Sequence, residues 1–300
     1  MRLGELSDAA LRAALRDEGL IVATGPFRFR IRSRTEQVFR GLRRLYPEFE
    51  IFEQGFSDYA VRVDRVAGLR GHLRPQVAFQ FDGFEPFKPL PANHAYALLE
   101  WGMNWSMSSH GHHYLLLHAA VLERNGHAIV LPGDPGAGKS TLTAALSLSG
   151  YRLLSDEMAL IDRDTGLLMP LARPVGLKNK SIDIVRAYSK DAVLGEVAHD
   201  THKGSVAHLR PPAASVRASD ASARPAFIVF PRWEEGAELV LTPCAKSAAF
   251  MRTAQHAFNY ELLGSTGYDL MADLIERCAC HELRYSRLPD AIAMFDGLTR

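Results

Sequence analysis

The segment Gly133-Asp134-Pro135-Gly136-Ala137-Gly138-Lys139-Ser140 constrains this chain more than any other stretch. Its spacing, G-x-x-x-x-G-K-[ST], arises by chance in about one of a hundred chains of this length at average residue frequencies. Context narrows the reading further. The apolar run Ala128-Ile129-Val130-Leu131 predicts a buried strand before the loop, and Ser140 to Leu146 predicts a helix after it. In that order, successive main-chain amides converge on phosphate oxygens at the positive end of the helix, and glycines supply backbone conformations closed to other residues. Lys139 then neutralises the outer phosphates, and the Ser140 hydroxyl completes a Mg²⁺ shell. The predicted phosphate contacts are Gly133, Asp134, Pro135, Gly136, Ala137, Gly138, Lys139, Ser140 and Thr141.

Phosphoryl transfer also needs carboxylates, for a metal ion and for the attacking hydroxyl. Asp156 and Glu157 follow the apolar pair Leu153-Leu154. An acidic pair at the carboxyl end of a strand beside the loop stands where a Mg²⁺ ligand or a catalytic base is needed. Two downstream segments offer cations for the transferring group: Arg173, Lys178 and Lys180, and the stretch Asp200-Thr201-His202-Lys203-Gly204-Ser205.

The rest of the chain divides into two predicted domains. Residues 1–90 read as a small α+β accessory domain: a helix near Leu6 to Gly19, a strand Phe27 to Arg32 with alternating arginines, a helix Glu36 to Leu45, and a second alternating strand from Tyr59 to Val63. Pro86, Pro89 and Pro91 mark the boundary, and residues 91–300 read as an α/β nucleotide-binding domain. Ala95 to Met107 is expected to be the helix connecting them. Arg210 to Arg224, rich in Ala, Ser and Pro, is expected to be a mobile loop.

Charge and composition exclude whole classes. Lys plus Arg number 35 against 34 Asp plus Glu, so no global field draws the molecule to nucleic acid or anionic lipid, and the arginine row is expected to be a solvated strand face. Tyr114 to Val121, the most apolar run, is too short to span a bilayer. Cys244, Cys278 and Cys280 form an odd set, and the Met1 to Glu5 start has no apolar leader core, so the expectation is a cytoplasmic protein. His110-Gly111-His112-His113 has no partner cluster at zinc-like spacing.

Leu117-His118, the strand, the Gly133–Ser140 loop and Tyr151-Arg152-Leu153-Leu154-Ser155-Asp156-Glu157 together resemble the catalytic domain of HPr kinase/phosphorylase, and more closely the HPr-kinase-related bacterial serine kinases (the HPr-kinase-related kinase A type). The resemblance is specific from about residue 115 to 162. It implies a P-loop kinase domain of the HPr-kinase, PEP-carboxykinase-like type, in which Asp156 is the general base, Glu157 the second, metal-side acid, and His118 a histidine beside the active site. Leu171 to Lys178 stands where the Glu-Ile-Arg-Gly signature of HPr kinase would be, so the resemblance implies a relative of that enzyme with a different acceptor.

Residues and resemblance together predict an ATP- and Mg²⁺-dependent serine kinase, with Lys139, Asp156 and His118 catalytic and Ser140 and Glu157 on the metal. Its expected partner is a protein or peptide with a serine acceptor, not nucleic acid or membrane; homo-oligomerisation is left open. The alternatives are a kinase for a free amino acid or sugar, and a nucleotide switch, for which Asn179-Lys180-Ser181-Ile182 lacks the fourth-place Asp of a guanine-reading motif.

Overall fold

In this computed structural model, residues 1–67, 74–134 and 136–300 are described. The predicted loop residue Pro135 lies outside them. Near the N-terminus the chain follows its local signals closely. Ser7 accepts a hydrogen bond from the Ala10 amide (3.1 Å) and caps α1 (Asp8–Arg16). Then come β1 (Leu20–Thr24), β2 (Phe27–Ser33), α2 (Glu36–Leu45), β3 (Ile51–Phe52), β4 (Tyr59–Arg65), β5 (Gln76–Phe81), β6 (Leu90–Pro91) and α3 (Ala95–His110). The strands form one mixed sheet in the order β3-β1-β2-β4-β5-β6. Strict alternation in β2 turns Phe27, Phe29 and Ile31 into the core, while Arg30 and Arg32 cap the Glu18 carbonyl from outside. Helix α3 lies in this same core, with Leu98, Leu99, Met103 and Met107 buried among Phe79, Phe81 and Leu42.

The second half begins with β7 (Tyr114–Leu117), β8 (Ala119–Arg124), β9 (His127–Pro132), α4 (Lys139–Leu148), β10 (Arg152–Ser155), β11 (Ala159–Asp162), β12 (Leu168–Met169), β13 (Val175–Lys178), α5 (Lys180–Tyr188), β14 (Ala198–Thr201) and β15 (Gly204–Leu209). It finishes with α6 (Ala213–Arg217), β16 (Pro225–Trp233), β17 (Val240–Pro243), α7 (Lys246–Gln255), α8 (Gly264–Arg277), β18 (Ala279–Tyr285) and α9 (Leu288–Leu298). The main sheet runs β10-β8-β9-β16-β18-β17, with β9, β16 and β18 mutually parallel and the others antiparallel. Alternation along β8 and β9 feeds two cores. Ala120, Leu122, Ile129 and Leu131 meet α4 and α9 on one face, and Val121, Ala128 and Val130 meet α7 and α8 on the other. The described residues thus form a mixed α/β protein with two six-stranded sheets, two three-stranded sheets and nine α-helices. Among them, no helix is long and apolar enough to cross a membrane.

Two expectations need correction. Arg210 to Arg224 is not a structureless loop. It carries α6; the Ser215 hydroxyl accepts a hydrogen bond from the Leu153 amide (2.9 Å), Val216 is buried, and Ala223 forms a bridge with Leu168. Small side chains that read as low complexity fill a tight space against β10. The spacing of residues from Ser247 to Leu263 predicts a single helix, but the helix ends at Gln255, because the next residues add to β7: the His256 carbonyl takes the His118 amide (2.6 Å) and Ala257 bridges Leu117. Tertiary pairing overrides helical spacing there.

The run from Leu115 to Leu122 reads as one apolar stretch, yet the chain divides it at His118. Strand β7 pairs with β11 in one sheet, and β8 pairs with β10 in another. Both members of the pair break at the same level, one at His118 and the other between Ser155 and Ala159. The double break sets His118 opposite Asp156 and Glu157, where the outward alternation of a strand no longer applies.

Candidate active site

The loop after β9 turns back over the start of α4. Gly136 (φ +91°) and Gly138 (φ +85°) occupy the left-handed region. At Gly138 a side chain is excluded by contact as well, since a Cβ would lie 2.8 Å from Trp233 Cβ and 2.9 Å from the Tyr285 hydroxyl. Helix α4 begins at once, so its first-turn amides have no intrahelical acceptor and are available to an anion.

A cavity of about 790 Å³ opens from this loop. Of the predicted phosphate contacts, Gly133, Asp134, Gly136, Gly138, Lys139, Ser140 and Thr141 line it. Ala137 stands beside it, with its amide given to the Asp134 carbonyl (3.1 Å) and its carbonyl taken by the Trp233 amide (3.0 Å). His118, Asp156 and Glu157 line the same cavity, so residues scattered over forty positions of sequence share one space.

Lys139 is only 8% exposed. Burial lowers its pKa, and Asp156 and Glu157 oppose that drop. Its Nζ lies 3.4 Å from His118 Nε2, while His118 Nδ1 lies 3.1 Å from the Glu157 carbonyl. Burial, and then the Lys139 ammonium, push the His118 pKa down to about 4. The neutral ring that results has one consistent tautomer: Nδ1–H donates to the Glu157 carbonyl, and Nε2 accepts from Lys139.

Asp156 is 8% exposed. Oδ2 accepts the Gly176 amide at 2.8 Å, and Oδ1 is buried without a hydrogen-bond partner. Burial, aided by Glu157 and opposed by Lys139, raises its pKa to about 6. Such an atom is costly to leave unmade and is therefore a mark of a site awaiting a donor. For Glu157, burial pushes the carboxyl up, but His118, Lys139, Lys203 and Lys178 outweigh it and hold it below the usual range.

Two groups of cavity residues are invisible to motif reading. On α3, Glu100, Trp101 and Asn104 line the cavity; Trp233 and Tyr285 close the space behind Gly138. Glu100 and Asn104, four apart amid the apolar run from Ala95 to Trp105, are the local signal for the first group. All four predicted cations, Arg173, Lys178, Lys180 and Lys203, line the cavity, and Arg173 is also paired with Glu100 and with Asn104. Lys203 sits at the turn between β14 and β15, its ammonium 5.1 Å from the Trp101 ring centre. The histidine cluster has a packing role at its first member: His110 stacks on Phe81 with ring centres 4.7 Å apart.

The residues fit a nucleotide with a magnesium ion. The left-handed glycine cradle suits phosphate oxygens, and the unpartnered Asp156 oxygen suits an incoming hydroxyl. Among the described residues no set of three or more His, Cys, Asp or Glu side chains is arranged to hold a metal. In comparisons with known proteins, no protein-family model matches this chain and no curated protein matches it significantly.

Proposed function

We propose that this chain is an ATP- and Mg²⁺-dependent kinase of the HPr-kinase, PEP-carboxykinase-like P-loop type, which phosphorylates a serine hydroxyl of a protein or peptide. The observation that carries this reading is the Asp156 carboxylate, buried, with one oxygen held by Gly176 and the other unpartnered, in the cavity that the phosphate loop opens.

In this reading the α4 amides and the Lys139 ammonium hold the phosphates. His118 holds Lys139 in place by accepting from its Nζ, without adding a second positive charge. Ser140 and Glu157 would hold Mg²⁺, which would neutralise charge on the phosphate oxygens. Asp156 Oδ1 accepts the hydrogen of the acceptor hydroxyl, orients the oxygen, and takes the proton as the new phosphorus–oxygen bond forms and the bond to the departing diphosphate breaks. Near neutral pH a carboxyl with a pKa of about 6 is mostly ionised and still basic enough for that role.

The depth of Asp156 and a volume of about 790 Å³ also suit a free amino acid or sugar as acceptor, because small-ligand cavities fall in that range. One experiment separates the cases. The protein is incubated with γ-labelled ATP, Mg²⁺ and a serine peptide library, and in parallel with free amino acids and sugars, alongside Asp156→Asn. Label on peptide serine with wild type, and a loss of about a thousandfold in the variant, is the expected result. Label confined to a small molecule moves the assignment to the second reading. Phosphate released equally by both proteins, with no labelled acceptor, rejects kinase activity altogether.

A further inference from the structure

The carboxylate of Glu157 has a single hydrogen-bond donor among the described residues: the Asn104 amide nitrogen, at 2.6 Å. Asn104 belongs to α3, a helix buried in the core of the N-terminal sheet, far along the chain from the phosphate loop. Its amide oxygen accepts from Arg173 Nη1. Arg173 Nη2 is held by the Glu100 carboxylate, and Glu100 accepts in turn from the hydroxyls of Tyr46 (2.7 Å) and Tyr96.

Every link in this chain has a forced direction. A guanidinium only donates and a carboxylate only accepts, so an amide between them must turn its oxygen to Arg173 and its nitrogen to Glu157. The opposite flip would set donor against donor and acceptor against acceptor. Tyr46 and Tyr96, whose ionisation is suppressed first by burial and then by Glu100, are locked as donors at the far end. Arg173, Glu100 and both tyrosines are buried, so none of these four has water as an easy substitute, while Asn104 and Glu157 are half-buried at the cavity wall.

We infer that Asn104 is a positioning residue for Glu157, and that the N-terminal unit thereby orients the carboxylate proposed to face Mg²⁺. Arg173, which also lines the cavity, belongs to this support through its bonds to Asn104 and Glu100. The inference rests on the kinase reading for the role of Glu157. Outer partners that orient a metal-side carboxylate change metal affinity by about 10–100-fold when removed.

The test is the Mg²⁺ dependence of binding of a non-hydrolysable ATP analogue, measured by calorimetry on the full chain. Asn104→Leu keeps the volume and removes both hydrogen bonds; Asn104→Ser is the second variant if the first does not fold, as judged by its thermal unfolding. The expected result is a Mg²⁺ midpoint about tenfold higher, with analogue affinity in the absence of metal unchanged. Combining the change with Glu157→Gln should add nothing to what Glu157→Gln does alone. A folded variant with an unchanged Mg²⁺ midpoint overturns the inference, and so does full additivity with Glu157→Gln. Failure of wild type to bind the analogue at all overturns the kinase reading itself, and is distinguishable because no variant is needed to see it.

Discussion

At the residue scale the fold bears a cost at Asp156. Its pKa in the folded state, about 6, lies above its ordinary 3.8, so the native state holds that proton more tightly than the unfolded state does. Stability therefore falls as pH rises from about 4 through 6, and above 6 the whole penalty is present, at most about 3 kcal/mol for roughly two units. Asp156→Asn keeps an acceptor for the Gly176 amide and abolishes the charge. In metal-free protein it should raise unfolding free energy at pH 7 by up to about 3 kcal/mol, with the gain shrinking toward zero near pH 4. Urea titrations at the two pH values check this, and equal gains at both would sink the electrostatic account. Gained stability together with lost transfer would be the signature of a residue kept for chemistry.

At the element scale the β14–β15 hairpin matters most, because it brings Lys203 over Trp101 and into the cavity that Asp156 lines. Lys203 is half-buried, and its pKa is lowered by burial and supported by Glu157. Among the described residues neither Lys203 nor Lys178 makes an ion pair within the protein. Under the proposed kinase reading, an ammonium so placed is ready for phosphate charge that develops during transfer. Lys203→Met, which retains the stem over Trp101, should lower turnover by about a hundredfold and leave apparent nucleotide affinity within about threefold. Lys190→Met, on an exposed side chain outside the cavity, should change neither. Steady-state kinetics on the two variants decides between a catalytic hairpin and a packing one; equal, small effects would favour packing.

At the scale of the whole molecule, the N-terminal core does not stop at α3. It takes in Leu116, Met158, Leu160, Leu171 and Ala172, which surround the breaks that expose His118 and Asp156. The Arg173–Glu100 pair crosses the same ground with both side chains buried. A buried pair adds little over a well-packed apolar replacement, but losing one partner leaves an uncompensated charge. Arg173→Met should therefore destabilise by about 3–5 kcal/mol, and adding Glu100→Leu should recover part of the loss. Chemical denaturation of the single and double variants reads this directly; a double variant as unstable as the sum of two independent losses would argue against coupling through the pair.

Local sequence determined what short-range forces decide. Apolar alternation set the faces of β2, an unbroken apolar run made β9, Ser7 started α1, and glycine spacing made the turn between β9 and α4, since each depends on neighbours within a few positions. Lys139, Asp156 and Glu157 were legible as candidates for the same reason, and they line one cavity. Tertiary structure alone decided that an unbroken apolar run would split at His118, that its partner would split opposite, and that Asn104 of a core helix would reach Glu157. It also withdrew Arg173 from the free cations and tied the Ala, Ser and Pro stretch down through Ser215. Those outcomes depend on which distant surfaces bury one another and which buried polar groups find partners, and no window of sequence contains both members of such a pair.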